Sequence, residues 1–343
     1  MKKYNVAILG ATGAVGEEFL KLIEERDFPF ADLRLLASKR SAGTKLKVKD
    51  REYVVEKATE DSFAGVQIAL FAGGSISETF APAAVRAGAV VIDNSSTFRM
   101  DPNVPLVVPE VNPEAIAAHQ GIIANPNCST IIMVLALKPL YDLAKIKRVV
   151  VSTYQAVSGG GKEAMAELER QVADIVAGRP VKAEILPGAS LAKHYQIAFN
   201  LIPQIDVFKD NDYTKEEMKM IDETKKIMGD PKMRITATTV RVPVYRSHAE
   251  SVNVEFAGEV SAAAAKKAIA SFPGLLLRDD PAAMEYPMPL FTSGRDAVEV
   301  GRLRRDESVE YGLNFWVCGD QIRKGAALNA LQIAEYMIAH DMV

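Results

Sequence analysis

The sequence predicts an α/β chain of two domains: a doubly wound domain on a parallel sheet, then an α+β domain with a largely antiparallel mixed sheet. Three observations carry this. A glycine-punctuated turn near the start joins an apolar run to an amphipathic stretch. Short, continuous apolar runs recur up to residue 125, and long alternating strands take over beyond residue 233. Continuous runs mark strands buried on both faces, as in parallel sheet, whereas alternation marks strands with one solvated face.

The first run, Tyr4 to Leu9, leads through glycines into Val15, Phe19, Leu22 and Ile23, spaced i, i+4, i+7 and i+8 as on one face of a helix. Further runs follow at Leu33 to Ala37, Val66 to Phe71, Val90 to Ile92 and Gly121 to Ala124. Helical stretches near 77–87 and 113–119 separate them, as the crossovers of a doubly wound sheet require. After Cys128 the reading is a helix over 129–143, a strand over 147–155, a glycine loop, a helix to 177 and another from Thr214 to Met228. Strands are predicted at 234–244, 249–258, 297–304 and 311–318. The last segment, Gln321 to Met342, reads as an amphipathic helix, with Ala327, Leu331, Ala334 and Ile338 on one face. With 343 residues the chain exceeds what one core usually organises. Domains are therefore expected at 1–127 and 128–321, with a terminal helix over 322–343 packing back on the first.

Composition narrows the function. With 48% hydrophobic and 25% charged residues and a net charge of -3, the chain is neither disordered nor fibrous, and it offers no basic field to nucleic acid. A small-molecule partner is expected. Two cysteines cannot build a disulfide framework, and four histidines show no metal-ligand spacing, so no metal is expected. The basic start Met1-Lys2-Lys3 precedes an apolar run too short for a signal-peptide core, and no window approaches a membrane span of about 20 apolar residues. A cytoplasmic protein without membrane contact is the expectation.

The segment Gly10-Ala11-Thr12-Gly13-Ala14-Val15-Gly16 ends a strand and opens a helix, the context of a dinucleotide phosphate site and of a Rossmann-like domain. Glycines permit the turn and close backbone approach, and the helix N-terminus offers N–H groups and a positive dipole end. The spacing G-x-x-G-x-x-G is a variant of the commoner fingerprint, and a purely structural turn is the alternative. In NAD-binding folds a carboxylate usually ends the second strand and accepts from the ribose 2′-OH. Here Ser38-Lys39-Arg40-Ser41 follows that strand, two cations and two hydroxyls that suit the 2′-phosphate of NADP. The alternative is a solvated basic loop.

Cys128 lies in Asn125-Pro126-Asn127-Cys128-Ser129-Thr130, where a strand ends and an apolar helix begins. The helix dipole there favours thiolate, so the thiol pKa should fall, and the terminal N–H groups could hold an oxyanion. The alternative is a buried inert cysteine. Cys318, within an apolar strand, reads as packing.

Together these residues resemble the aspartate-semialdehyde dehydrogenase family over nearly the full chain. The matches are GATGAVG at 10–16, DNSSTFR at 93–99, PNCST at 126–130, QAVSGGG at 155–161, EEMK at 216–219 and RVPVYRSHAES at 241–251. The resemblance makes Cys128 the nucleophile, His248 the general acid/base and Gln155 the residue that positions the acyl group. It gives Arg241 the substrate carboxylate, Glu216 its ammonium, and Arg99 and Lys219 the phosphate. Ser158, Gly159 and Gln321 would border the nicotinamide. Chemistry agrees with several of these. Histidine can be tuned to exchange protons near neutrality, and His248 reads as lying in a turn between two strands. A planar guanidinium can grip a carboxylate with two parallel hydrogen bonds. Glu216 and Lys219, i and i+3 on one helix, are on spacing alone only a surface ion pair. His194 reads as structural or interfacial.

The resemblance implies reduction of L-aspartyl 4-phosphate by NADPH, through a thioester, to L-aspartate 4-semialdehyde and phosphate. This is the branch point toward lysine (by way of diaminopimelate), threonine and methionine. It also implies a homodimer built on the second domain and the segment Ile185 to Ile205. Two other readings stay open. A sibling N-acetylglutamyl-phosphate reductase shares the cysteine and cofactor, but its acylated nitrogen would leave Glu216 little to do. A non-catalytic dinucleotide sensor would not need Cys128, Gln155 and His248 together.

Overall fold

The structure, a computed structural model, describes residues 2–74 and 76–343; Met1 and Ser75 lie outside the described residues. The chain divides into two compact units, residues 1–127 with 325–343, and residues 128–324.

In the first unit the chain runs through β1 (Tyr4–Leu9), α1 (Ala14–Glu25), β2 (Phe30–Ala37), a small hairpin of β3 (Lys45–Val48) and β4 (Arg51–Val54), and β5 (Glu56–Lys57). It continues through β6 (Ile68–Phe71), α2 (Ser77–Arg86), β7 (Val90–Asp93) and β8 (Ile122–Ala124). The main sheet has the order β5-β2-β1-β6-β7-β8, with every neighbouring pair parallel. Strand order reverses at β1, so a crevice opens beyond the carboxyl ends of the strands there, the usual ligand position in such sheets. Ile8, Leu9 and all four residues of β6 are buried, which is why these strands read as continuous apolar runs. Phe19, Leu22 and Ile23 of α1 fill the core on one side. The stretch expected as a helix at 113–119 is instead a 3₁₀ segment, Pro113–Ala118, opened by its proline. Strands β3 to β5 carried no sequence signal, because Lys45, Lys47, Arg51 and Glu56 are exposed and only alternate residues such as Val48 and Tyr53 reach the core.

The second unit begins with α3 (Cys128–Leu143) and β9 (Ile146–Gln155), followed by a 3₁₀ turn at Val157–Gly160, α4 (Lys162–Val176) and an irregular segment. Then come α5 (Lys215–Ile227), β10 (Arg234–Arg241), β11 (His248–Phe256), α6 (Ala262–Ser271), β12 (Leu275–Leu277), α7 (Pro289–Thr292), β13 (Val298–Arg305) and β14 (Gly312–Gly319). The sheet order is β10-β9-β11-β14-β13-β12, with the three inner pairings antiparallel and the two outer ones parallel. Val252, Val254 and Phe256 of β11 face the core while Ser251, Asn253 and Glu255 face away, the alternation of a half-covered sheet. Helix α3 covers the buried face, and because Ile131 to Leu137 are all enclosed it is apolar on every side. Helix α5 starts at a capping box: the Glu217 amide donates to Thr214 Oγ1 (3.2 Å) and the Thr214 amide to Glu217 Oε2 (2.7 Å).

The irregular segment after α4 is tied down by two buried side chains one turn apart. The Glu167 carboxylate accepts from the amides of Glu184, Ile185 and Leu186, and Gln171 Oε1 from those of Ile197 and Ala198. Within it His194 Nε2 lies 3.2 Å from the Gly188 carbonyl. The segment then pairs with the end of β10, where Ile202 and Arg241 exchange backbone hydrogen bonds at 2.9 and 3.0 Å.

The terminal helix differs from its expected span. Asp320 Oδ1 draws the amides of Ile322 and Arg323 into a turn (2.9 and 3.0 Å), a π-helical turn spans Arg323–Ala327, and α8 runs only over Leu328–Ala339. Leu328, Leu331, Ala334 and Met337 share a core with β1 and α1 in the first unit. Among the described residues no helix is long and apolar enough to cross a membrane, and no group of His, Cys, Asp and Glu is placed to hold a metal ion.

Candidate active site

In the first unit, Gly10 follows β1 with φ +86°, a conformation glycine adopts without strain. Its amide donates to the Leu36 carbonyl at the end of β2 (2.8 Å), and that of Gly13 to the Gly10 carbonyl (3.0 Å). A Cβ on Gly16 would lie 2.2 Å from the Gly10 carbonyl oxygen, so a glycine there is what lets the turn close onto α1. Gly13 is the N-cap of α1 and brings no side chain over its first amides. This backbone cradle, formed by Gly10, Ala11, Thr12, Gly13, Ala14 and Val15, fits a dinucleotide phosphate. Because β1 and β2 are parallel, the exposed Ser38-Lys39-Arg40 and half-buried Ser41 leave the same sheet edge as the glycine turn.

Arg99 also belongs to the first unit. Buried Asp93 organises its loop by accepting from the Ser95 amide (3.0 Å) and from Ser77 Oγ (2.7 Å). Arg99 Nε donates to the Asn125 carbonyl (3.0 Å) and Nη2 to the Asn94 carbonyl (2.8 Å).

In the second unit three strand ends converge. Parallel pairing sets Arg241, the last residue of β10, against Gln155, the last of β9, and β11 begins at His248 beside them. His248 is thus a fully buried strand residue, not the turn residue expected from sequence, because antiparallel pairing with β14 already holds it against Gly319. Its Nδ1 accepts from the Ala156 amide at 3.1 Å, which leaves the proton of the neutral ring on Nε2, 3.4 Å from the Gln155 amide nitrogen. Gln155 is itself fixed: Thr153 Oγ donates to its Oε1 (3.0 Å) and its Nε2 donates to Glu216 Oε1 (3.2 Å). The other Glu216 oxygen receives Lys219 Nζ at 3.0 Å, and Lys219 also reaches Asp206 at 3.3 Å. Arg241 Nη1 donates to the Ala156 carbonyl (2.7 Å), while its buried Nε has no hydrogen-bond partner among the described residues. Gly159 closes over both side chains, since a Cβ there would stand 2.8 Å from Arg241 Nη1 and 3.3 Å from His248 Cε1. Gln321 Nε2 donates to Ser158 Oγ, and its Oε1 accepts from the Ser247 amide at 2.7 Å.

Burial, with the Arg241 cation second, drives the His248 pKa down to about 3 against the opposing pull of Glu216, so the ring is neutral at physiological pH. Burial also lowers the Arg241 pKa, opposed by Glu216 and by the charge of Cys128; a guanidinium nonetheless stays protonated. Cys128 heads α3 and is partly exposed, whereas Cys318 is fully buried and its thiol is pushed far up. The site therefore contains a cysteine at a helix start, a neutral imidazole and an enclosed guanidinium. Thr153, Ala156 and Ser247 escaped the sequence reading. Thr153 had a signal, two residues before Gln155 on one face of a strand, whereas Ala156 acts through its backbone and leaves none.

A dinucleotide-type parallel-sheet unit, followed by a mixed-sheet unit with this cysteine, glutamine, arginine and histidine, defines the class of the semialdehyde dehydrogenases. Residues 5–119 match the model of the semialdehyde dehydrogenase NAD binding domain, and 137–324 that of the semialdehyde dehydrogenase dimerisation domain. The aspartate-semialdehyde dehydrogenase of Aquifex aeolicus is 53% identical, with 99% of each chain covered. The crystal structure of aspartate semialdehyde dehydrogenase II from Vibrio cholerae complexed with ASA is 48% identical, with a TM-score of 0.94 over 99% of each chain. The Candida albicans enzyme, solved with NADP, superposes with a TM-score of 0.77 at 26% identity over the whole of both chains. The chain belongs to the aspartate-semialdehyde dehydrogenase family.

Proposed function

We propose that this enzyme reduces L-aspartyl 4-phosphate to L-aspartate 4-semialdehyde and phosphate with NADPH, through a thioester on Cys128. The observation that carries the reading is the buried cluster at the strand ends. Arg241 has spent Nη1 on the Ala156 carbonyl and keeps an unpartnered buried Nε, the donor a substrate carboxylate would take. Glu216 supplies a negative charge for the substrate ammonium, and Lys219 beside it a positive charge for phosphate. Arg99 is the second phosphate residue in this reading.

The Cys128 sulfur attacks the acyl carbonyl; a C–S bond forms, the C–O bond to phosphorus breaks, and phosphate leaves. Gln155, held by Thr153 and Glu216, orients the acyl group. NADPH supplies the hydride when bound. The alkoxide of the resulting thiohemiacetal is held by a hydrogen bond from the Nε2–H of neutral His248, which shares its proton with that oxygen; as the carbonyl re-forms the C–S bond breaks, releasing the aldehyde and regenerating the thiolate.

The glycine turn and the carboxylate-free loop Ser38–Ser41 support NADP as cofactor, as does the Candida albicans neighbour solved with it. Ser158, Gly159 and Gln321 are proposed to border the nicotinamide. A homodimer is supported by the match of 137–324 to a dimerisation domain and by the exposed Phe199 and Leu201 in this unit. A role in lysine, threonine and methionine biosynthesis follows from the reaction, and a cytoplasmic location is part of the same proposal. The test is direct: purified protein with aspartate semialdehyde, phosphate and NADP should show steadily rising absorbance of reduced cofactor, and without phosphate no turnover beyond a single one per enzyme. N-Acetylglutamate semialdehyde should not replace the substrate.

A further inference from the structure

Ser247, immediately before His248, has φ +77° and is fully buried. A non-glycine residue in the left-handed region is strained and persists only where its surroundings over-determine it. Here they do. The Ser247 amide donates to Gln321 Oε1 (2.7 Å), and its hydroxyl pairs with that of Thr292 (2.5 Å). The other end of the Gln321 carboxamide donates to Ser158 Oγ, so one side chain bridges the turn before β11 and the loop after β9. Those two segments also pair directly: the Val157 amide donates to the Val244 carbonyl (2.8 Å) and that of Ser158 to the Tyr245 carbonyl (3.1 Å). The neighbour of Gln321 works on the same turn, as Asp320 Oδ2 holds Arg246 Nε and the Gly294 amide, both at 2.6 Å.

We propose that Gln321 and the left-handed backbone of Ser247 are positioning elements for His248, setting the ring against the Ala156 amide. A buried carboxamide with both ends engaged, by the Ser247 amide and by the Ser158 hydroxyl, fixes the separation of two loops, and His248 is the first residue beyond the strained one. The conformation at 247, rather than its hydroxyl, is what counts. This inference rests on the acid/base reading of His248 and goes beyond it: Gln321 acts through the histidine, in addition to any contact with cofactor.

The test compares Gln321→Ala, Gln321→Glu, Ser247→Gly and Ser247→Val in the full-length enzyme, with His248→Asn alongside. Glutamate keeps an acceptor for the Ser247 amide and can accept from the Ser158 hydroxyl; glycine adopts positive φ freely; valine resists it. Gln321→Ala and Ser247→Val should lose at least about tenfold in kcat with KM for aspartate semialdehyde changed less than about twofold. Gln321→Glu and Ser247→Gly should recover most of that loss, and NADP affinity, measured by fluorescence titration, should stay within about twofold for the Ser247 variants. If Ser247→Val does not fold, the two Gln321 variants decide. A Gln321→Ala enzyme with normal kcat, or one whose defect is wholly weaker NADP binding, overturns the proposal. An active His248→Asn enzyme would instead overturn the acid/base reading beneath it.

Discussion

The Ala156 backbone amide donates to His248 Nδ1 at 3.1 Å, and the carbonyl of the same residue accepts from Arg241 at 2.7 Å. One peptide segment after β9 thus fixes the imidazole tautomer and orients the guanidinium. The proposed acid/base and carboxylate-binding groups cannot drift apart without breaking a backbone contact.

The first prediction concerns pH. With the native pKa of His248 near 3 against an ordinary 6.5, the unfolded chain takes up the proton first as pH falls. The stabilisation is fully present above 6.5 and is lost as pH drops toward 3. His248→Asn should lose most turnover and flatten the pH dependence of the unfolding free energy across that window, measured by urea titration at several pH values. Wild-type kcat/KM should show no acid limb near 6.5 from this residue.

A second buried group has the opposite sign. Glu250, on the same face of β11 as His248, has neither carboxyl oxygen hydrogen-bonded among the described residues, and burial raises its pKa well above 4.5. The native state therefore keeps a proton that the unfolded chain gives up, and stability falls as pH rises above 4.5 until the native carboxyl ionises. Glu250→Gln should melt higher than wild type at neutral pH, and the gap should shrink as pH is lowered toward 4.5. A constant gap across pH would show that Glu250 is ionised in the native enzyme.

Arg241→Lys keeps the charge at the end of β10 but removes the planar fork. The Ala156 carbonyl and the substrate carboxylate cannot both be held as before, and the reacting carbonyl should drift from Cys128. We expect kcat/KM for aspartate semialdehyde to fall at least about tenfold, which is ~1.4 kcal/mol of transition-state binding, with NADP affinity unchanged. Steady-state kinetics and a cofactor titration check it; unaltered kinetics would reopen the choice of substrate.

Lys39 and Arg40 extend from the sheet edge that carries the glycine turn, exposed and positively charged. Replacing both by alanine should weaken NADP by at least about tenfold and spare NAD, since a charge-assisted contact to the 2′-phosphate is lost and the pyrophosphate cradle is kept. Equal losses for both cofactors would mean that this loop does not read the 2′ position.

These expectations differ in how far they were visible in the sequence. The parallel sheet was legible because β1 and β6 are enclosed on both faces and so spell continuous apolar runs, and the glycine turn because Gly10 and Gly16 meet constraints that only glycine satisfies easily. Cys128, Gln155, Arg241 and His248 were legible as motifs, but their assembly was not. Gln155 and Arg241 lie 86 positions apart and meet only through the register of β9 and β10. His248 read as a turn residue because nothing before it announces a strand, and the left-handed Ser247 shows none of the glycine signal that normally marks such a turn. Glu216 and Lys219 looked like a surface pair by spacing; the tertiary structure buries Glu216 against Gln155.

The central claim is the thioester on Cys128, and intact-protein mass spectrometry tests it most directly. Enzyme incubated with aspartate semialdehyde and NADP without phosphate should oxidise the aldehyde once and gain the mass of one aspartyl group, mapped to Cys128 by peptide digestion. Phosphate should discharge it, and Cys128→Ala should bind NADP, form no adduct and lack turnover, while Cys318→Ala stays active. An adduct on another residue, or near-normal turnover by Cys128→Ala, would contradict the account.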